Sequence, residues 1–545
     1  MNTERATSKK NWKFKVIEIA LIVFGYFILS FLATGFSLNN HIIFDGNDMN
    51  FHLNRILSLE NVLQSPVNLE VLHSVGLQVN NFYGWLTLYP ALLLVKLVDN
   101  IGVGYNLYML FITLLTFLSS HYSALKITHS HRIGFIFSLL YVFSTYRMVN
   151  IYTRAALGEV IAMTFLPLVF CGVYLILKNN KQGILMLAFS FSLIVYSHVI
   201  TSFLAFLFVV LCYLSYGITH QKKFIAITLS FVKSGFLILL LSLGFLVPLL
   251  INSEFQELNM PFIADLASNS FNSGTLLVEG LNNSYSTISL GLLITALLVT
   301  TLLQFKNLNK VQKVGLILGA LAFIMSTKLF PWSILQSTLF TNIQFPWRFL
   351  GLTSLFIGFA GAIYINEIIG TTRFKKLAIA VFALILIMLN MGSIRASSES
   401  LNATDYSQVT FDSVTRNVSL GRVDYSPVYS KEQEDQLSQQ IVTANGLPVE
   451  AEVTISANQQ NYGFIAENQS EIVLPVFRYA GLTLTNNGQE IESEDTGPLV
   501  SFQSQQGENN IVVSYHYPLL SKLAWIISIT SFLIVIGIQL FRKYR

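Results

Sequence analysis

The chemistry-bearing residues of the chain gather in a few short stretches, and the first is Asp45-Gly46-Asn47-Asp48-Met49-Asn50-Phe51-His52-Leu53-Asn54-Arg55. If the run from Asp48 is helical, Asp48, His52 and Arg55 fall at i, i+4 and i+7 and share one face. Asp48 also suits an N-cap, and Asp45 lies about one turn upstream. An acid, an imidazole and a guanidinium on one face can bind and activate a polar substrate. The same pattern fits a solvated surface helix with a capping aspartate.

Three more stretches carry ionisable groups next to long apolar runs. Gln344-Phe345-Pro346-Trp347-Arg348-Phe349 opens one run. Pro346 suits the first helical turn, Trp347 a bilayer interface, and Arg348 either snorkels outward or grips a phosphate with its planar fork. Arg154 and Glu159 stand five residues apart, a spacing that does not share a helix face, so a simple helical ion pair is not the obvious reading. Glu159 lies near the end of an apolar run and needs a partner, which Arg147, Arg154 or Arg55 could supply. Ser197-His198 lies between two apolar runs, where His198 could bind a metal, bind substrate or cap a helix. Lys328 closes a further run. His129-Ser130-His131 has metal-like spacing but no third ligand nearby. The chain has no P-loop, no GxGxxG before a helix, no HExxH and no GxSxG, which removes support for nucleotide-dependent and serine-hydrolase chemistry.

The elements that must position these residues are membrane helices. Over half the chain is hydrophobic, and charged residues make up 11%, where a soluble domain carries about 25%. Apolar runs near the ~20-residue spanning length recur. We place twelve spans at 16–36, 104–126, 133–146, 158–177, 183–196, 201–217, 224–251, 287–305, 314–330, 347–365, 377–391 and 523–540. The first follows Lys9, Lys10, Lys13 and Lys15 and reads as a retained helix rather than a cleaved signal. Basic residues cluster at the N-terminus, Lys126/Arg132, Lys178/Lys181, Lys222/Lys223, Lys306/Lys310/Lys313, Arg373/Lys375/Lys376 and Arg542/Lys543/Arg545. All become cytoplasmic, with both termini inside, if the short Pro90-containing stretch 82–95 lies in the interface instead of crossing. The acids, His198, Lys328 and Arg348 then share the outer side, where an ionisable group at a helix end is a functional candidate. The scattered basic residues are not a nucleic-acid signal. Cys171 and Cys212, the only cysteines, lie in apolar runs, so neither a disulfide framework nor a thiolate metal site is expected.

From about residue 395 the apolar runs stop. Residues 449–456 alternate as a strand does, and further strands are expected at 471–479, 482–485 and 511–517. Asn487-Gly488 signals a hairpin. We therefore divide the chain into a polytopic membrane domain over 1–394 with its first outer loop at 37–103, a small outward β domain of sandwich type over 395–520, and a last span with a basic tail over 521–545. Residues 396–440 are expected to be the least ordered part.

The ordered set of motifs resembles a known family. An acid before Phe51-His52-Leu53-Asn54-Arg55 is followed by Asn81-Phe82-Tyr83-Gly84, Tyr152-Thr153-Arg154-Ala155-Ala156-Leu157-Gly158-Glu159, Leu166-Pro167-Leu168, Ser197-His198 and the Gln344–Phe349 stretch. This set resembles the bacterial membrane proteins called 6-pyruvoyl-tetrahydropterin synthase-related. Leu474-Pro475-Val476-Phe477 and Tyr479-Ala480-Gly481 before the last span resemble the neighbouring YfhO-like family. The enzyme in the family name is a soluble zinc protein, and nothing in this chain supports pterin chemistry. More distantly, the layout is similar to that of GT-C glycosyltransferases, which place an essential acid in the first outer loop and use polyprenyl-phosphate sugars.

That resemblance implies glycosyl transfer on the outer face of the bacterial cytoplasmic membrane. Asp48, or Asp45 as the alternate, matches the acid that acts on a cell-envelope glycan acceptor. Arg348, with Arg154 or Lys328, would hold the polyprenyl phosphate; His52, Arg55, Glu159, His198, Gln344 and Trp347 complete the expected binding set. Aromatics near Trp85 and Trp332 are expected to hold the lipid. A divalent metal is compatible with this scheme, although no sufficient ligand set is visible. The alternative is a non-catalytic protein that binds, translocates or scaffolds lipid-linked glycans.

Overall fold

The apolar runs fold as helices, and their lengths decide which can cross a bilayer. The computed structural model describes residues 2–38, 41–221, 224–399, 401–416, 420–421, 423–495 and 497–544. Of the basic clusters, Lys222, Lys223 and Arg545 lie outside the described residues. Eight helices among those described are long and apolar enough to span: Val16–Thr34, Ile101–Thr128, Leu157–Leu177, Val199–Thr219, Phe224–Phe255, Pro346–Gly370, Lys375–Ser398 and Leu519–Gln539. His131–Val142 and Thr145–Tyr152, bent by 44° at their junction, make a ninth if taken as one span. The chain is thus a multi-pass α-helical membrane protein.

That count differs from the twelve expected. The runs at 183–196, 287–305 and 314–330 form the shorter helices Gln182–Val195, Leu292–Leu303 and Lys310–Met325. At 1.5 Å per residue these are ~18–24 Å long, short of the ~30 Å hydrocarbon thickness. The second run loses its first turn at Gly291, whose φ of 77° is outside the helical region. The stretch at 82–95 is broken into the end of Val79–Phe82, a turn, and the ten-residue helix Tyr89–Val98 with Pro90 in its first turn, too short to cross.

Ile101–Thr128, Leu157–Leu177 and Pro346–Gly370 are mostly buried, whereas Val16–Thr34, Lys375–Ser398 and Leu519–Gln539 expose most of their apolar surface. Water would not tolerate that periphery, and lipid would. Trp85 and Trp332 do not face lipid. Trp85 is buried against Trp525 with ring centroids 5.2 Å apart, and the Trp332 indole N–H donates to the Met325 carbonyl at 2.9 Å inside the core.

The C-terminal region forms two antiparallel sheets. One runs Leu499–Gln503, Glu471–Phe477, Val442–Ala444, Leu447–Val449; the other runs Glu452–Ile455, Gln459–Ala466, Gly507–Tyr515, Leu482–Asn486, Gln489–Ile491. Asn487 and Gly488, both at positive φ, close the hairpin that pairs Asn486 with Gln489. The alternating residues 449–456 are not one strand: the chain changes sheets at Glu450-Ala451, and Glu452–Ile455 is exposed throughout. The stretch expected to be least ordered carries the strand Ala403–Asp405 and the helices Phe411–Arg416 and Lys431–Gln439, the last with a Ser430/Gln433 capping box. The first loop is woven into this region. Ile42–Phe44 pairs with Ala403–Asp405, and Val67, Leu69, Val75 and Leu77 share an apolar core with Tyr462, Leu474 and Val513.

Candidate functional site

The site is built where the loop after the first helix meets the corner between Thr145–Tyr152 and Leu157–Leu177. That corner is tight because Ala155 takes φ 51°. Left-handed backbone costs a residue with a Cβ about 1–2 kcal/mol. The incoming loop clips onto the corner by main-chain bonds. Asn47 N–H donates to the Thr153 carbonyl at 3.0 Å and Asp48 N–H to the Arg154 carbonyl at 2.9 Å. Gly46 permits the approach, since a Cβ there would stand 2.6 Å from the Ala155 Cβ.

Asp48 precedes the helix Met49–Leu57 and sits at its N-cap position, but its side chain makes no capping bond. Its ψ of 10° departs from the extended geometry that turns a cap oxygen onto the first turn. The carboxylate makes no hydrogen bond or ion pair among the described residues and is only partly covered. Burial raises its pKa above the usual aspartate value, and the nearby Arg154 and Arg348 charges pull it part of the way back. Asp45 is different: it is exposed, and the Thr404 hydroxyl donates to both its oxygens at 2.8 and 3.0 Å.

One helical turn on, His52 and Arg55 meet as the spacing requires. The Arg55 Nη1 lies 3.3 Å from His52 Nδ1; a guanidinium can only donate, so His52 accepts there and carries its proton on Nε2. Burial, then the Arg55 charge, holds His52 well below its ordinary pKa and therefore neutral. Arg55 is fully buried, and most of its donors are consumed. Nε donates to Asn80 at 3.2 Å, and Nη2 donates to the Tyr83 and Gly84 carbonyls at 2.8 and 2.9 Å. Its guanidinium lies 4.0 Å from the Tyr83 ring centroid. Arg55 thus pins the 80–84 segment to the acid-bearing helix.

Glu159 is the hub of the cationic half. Its Oε2 lies 2.9 Å from Arg154 Nη1 and 4.0 Å from Arg348 Nε, and its Oε1 accepts the Tyr146 hydroxyl at 2.5 Å. The five-residue spacing is no obstacle, because the Ala155 corner, not a continuous helix, separates the pair. Asn150 holds Arg154 from one side, and the Trp347 ring lies 4.2 Å from its guanidinium. Arg348 points inward at this cluster. Its Nη1 donates to the Ile343 carbonyl at 2.5 Å and to Gln344 Oε1 at 3.0 Å, while its buried Nε has no hydrogen-bond partner among the described residues.

His198 caps the helix Val199–Thr219, its Nδ1 accepting the Thr201 N–H at 3.2 Å. Burial pushes its pKa down to about 3, Glu159 opposing this and Arg348 adding to it. Tyr83 lies between the two histidines, its ring centroid 5.8 Å from each. Lys328 is not part of the cluster: it is exposed on the segment that pairs with Phe271, and no contact joins its ammonium to the cluster among the described residues. The site also uses residues the motifs did not single out. Asn80 and Asn150 position two arginines, and Tyr425, brought by the C-terminal region, stacks on Phe82 at 5.2 Å within electrostatic reach of Arg55 and Arg348.

Among the described residues, no group of three or more His, Cys, Asp or Glu comes together as a metal shell. His131 does meet a second imidazole, its Nδ1 3.1 Å from His121 Nε2, but that pair's other partner is the Tyr26 hydroxyl, 2.6 Å from His121 Nδ1. At the site itself, three guanidinium groups face two carboxylates, with both histidines neutral. The excess positive charge, and an Arg348 Nε that has no hydrogen bond among the described residues and only the Glu159 carboxylate 4.0 Å away, suit an anionic ligand.

These features define a class: a multi-pass membrane protein carrying a buried arginine-rich polar cluster where several helix ends meet the first loop, with two β-sheets in its C-terminal region. Within that class, the chain belongs to the 6-pyruvoyl-tetrahydropterin synthase related family of membrane proteins, whose model matches residues 80–399. No curated protein is similar to it. Among solved structures it is similar to the arabinofuranosyltransferase AftD from Mycobacteria, seen by single-particle cryo-electron microscopy, at 13% identity and a TM-score of 0.47. The match covers 92% of this chain and 40% of AftD, so the chain spans less than half of that protein's length.

Proposed function

We propose that the protein transfers a sugar from a polyprenyl-phosphate donor to a hydroxyl of a cell-envelope glycan at the outer face of the cytoplasmic membrane. The observation that carries this reading is the Asp48 carboxylate. It makes no hydrogen bond or ion pair among the described residues, its backbone is fixed by the bond to Arg154, and it is set beside a cluster with surplus guanidinium charge. In this scheme Asp48 takes the acceptor hydroxyl proton as the oxygen attacks the anomeric carbon. The bond from that carbon to the phosphate oxygen breaks, and the phosphate leaves with the electron pair. Its added charge is stabilised by Arg348 and Arg154, which Glu159, Gln344 and Trp347 hold in place. His52 and Arg55 position the acid-bearing helix, and Asp45 is the alternate candidate for the acid only if Asp48 is not the base. In this scheme the bent pair and the three shorter helices, the latter crossing where the bilayer thins around them, complete twelve crossings, with both termini cytoplasmic and the two sheets forming an outward sandwich over the site.

A second reading is binding or translocation of a lipid-linked glycan without transfer. The arginine cluster alone would serve it, and no base is needed. The deciding experiment compares envelope glycans and lipid-linked sugars in a deletion strain complemented with wild type or with Asp48→Asn at matched expression. A missing sugar with build-up of its lipid-linked donor in the Asp48→Asn strain supports transfer. Full rescue by Asp48→Asn overturns it in favour of binding.

A further inference from the structure

Two segments outside the spanning helices flank the arginine cluster, one at 259–271 and one at 326–345. They are tied side by side. Lys328 N–H donates to the Phe271 carbonyl at 2.9 Å, the Gln336 side chain accepts from Leu266 N–H at 2.8 Å and donates to the Ala264 carbonyl at 3.2 Å, and Gln344 Nε2 donates to the Phe262 carbonyl at 2.9 Å. These bonds make a fixed platform. It carries Met260, Phe262, Ile263, Leu329, Ile334 and Leu339, each more than half exposed. Large apolar side chains gathered this way on ordered, non-spanning segments mark an interaction surface.

The platform is continuous with the cluster through one residue. Gln344 bonds Phe262 with its amide nitrogen and Arg348 with its amide oxygen, and it does so at φ 62°. A residue with a Cβ is held there only when its surroundings over-determine it. Apolar surface therefore leads directly to a guanidinium whose buried Nε makes no hydrogen bond among the described residues. Lys328, exposed beside Leu329, adds a positive charge to the platform, and the platform's acid, Asp265, is turned back onto the Ser268 N–H. The ligand that matches is an amphiphile with an anionic head and an apolar tail.

We infer that this platform seats the first part of the apolar tail of an anionic lipid whose phosphate head occupies the Arg348 cluster. The inference rests on the phosphate-binding part of the proposed function and adds the place where the lipid lies. Gln344 acts as the positioning residue that couples tail seat to head site.

The test uses the full-length protein in phosphatidylcholine nanodiscs. The probes are a polyprenyl monophosphate with a diazirine near its head, the same polyprenol without phosphate, and a soluble single-isoprene phosphate as a head-only probe. The phosphate probe is expected to label 259–263 and 329–339, and unlabelled polyprenyl phosphate should compete. Arg348→Gln should cut this labelling at least about tenfold, the loss of one charge-assisted hydrogen bond. The double substitution Phe262→Ser, Ile263→Ser should weaken binding of the long probe while leaving the single-isoprene phosphate unaffected. Equal labelling by the neutral polyprenol, unchanged in Arg348→Gln, would mean contact with bulk bilayer and overturn the inference. Arg348-dependent binding with labels elsewhere would overturn the platform but keep the phosphate site. Absence of any Arg348-dependent binding would remove both.

Discussion

The Asp48 N–H donates to the Arg154 carbonyl at 2.9 Å, so the acid and the guanidinium beside it are fixed by main chain while their side chains stay unpaired with each other. Arg154 spends its Nη1 on Glu159 and Asn150 instead. A base must be held in place without being neutralised, and this arrangement does both. Asp48→Asn is expected to lower transfer by about 10²–10⁴-fold, the usual worth of a general base. Binding of a lipid phosphate should stay within about threefold, well under one lost hydrogen bond to a charged group. Asp45→Asn, which loses only an exposed contact to Thr404, should lose little of either. Turnover and binding measured on the same purified variants check this.

The same carboxylate gives a pH dependence with a definite sign. Burial raises the Asp48 pKa above its ordinary value, more than Arg154 and Arg348 lower it. Transfer needs the ionised form, so activity should fall as pH drops through a pKa above the normal aspartate range. A raised folded-state pKa also means that ionised Asp48 works against folding: its contribution to stability is present at low pH and lost as pH rises through the folded value. Asp48→Asn should therefore be inactive yet no less stable than wild type at neutral pH, seen as an equal or higher melting temperature in detergent. A clear drop in stability at neutral pH would contradict this account.

Glu159 is surrounded by partners, and removing its charge strands them. Glu159→Gln leaves Arg154 buried without its ion pair and Arg348 without its nearest carboxylate. Breaking one side of such a buried pair costs about 3–5 kcal/mol. The variant is expected to unfold at markedly lower temperature, and adding Arg154→Met should recover part of the loss. Thermal melts of the two single variants and the double variant measure the coupling.

Which parts of this site were legible in the sequence follows from how each residue is held. Helical spacing puts His52 and Arg55 on one face, and they meet within the helix Met49–Leu57, while Asp48 precedes that helix at its N-cap position. Arg154 and Glu159 are only one pairing among several in the sequence, because helical spacing argues against them and the left-handed residue of the corner that joins them is Ala155 and not a glycine. Arg348 was readable in two directions; its inward turn depends on Gln344 and Glu159, residues from two different segments. Lys328 shared a side of the membrane with the others but not the cluster, since hydropathy orders residues along the membrane normal and not across it. Tyr425 lies far along the chain in a stretch of low apolar content, and only the fold of the C-terminal region over the first loop brings it to Phe82. In the fold, span length was the weak point: composition sees an apolar run, while Gly291 and the Ser326-Thr327 turn shorten the helix inside it.

Close backbone approach makes one glycine a sharp test of how the 80–84 segment seats. A Cβ on Gly84 would lie 2.4 Å from the Tyr196 carbonyl oxygen and 2.8 Å from its Cα, atoms that cannot swing aside. Gly84→Ala is expected to cost about 1–3 kcal/mol by overpacking and to move the Gly84 carbonyl off Arg55. Gly25→Ala, with nothing within 4 Å, should change stability by less than about 0.5 kcal/mol. Equal melting temperatures for the two variants would show that the segment is not held against the Tyr196 turn.

His198 supplies the acid-side counterpart. Burial pulls its pKa from an ordinary 6.5 down to about 3, so the unfolded chain binds a proton where the folded one does not. Its contribution to stability is whole above the unfolded value and is lost as pH falls from about 6.5 toward 3. The cap itself needs only an acceptor for the Thr201 N–H, which asparagine provides. His198→Asn is therefore expected to keep the helix start while flattening the fall in melting temperature across that pH window. If the variant instead melts in parallel with wild type at every pH, His198 is not the group that senses acid, and His52, depressed in the same direction by burial and by Arg55, becomes the residue to replace next.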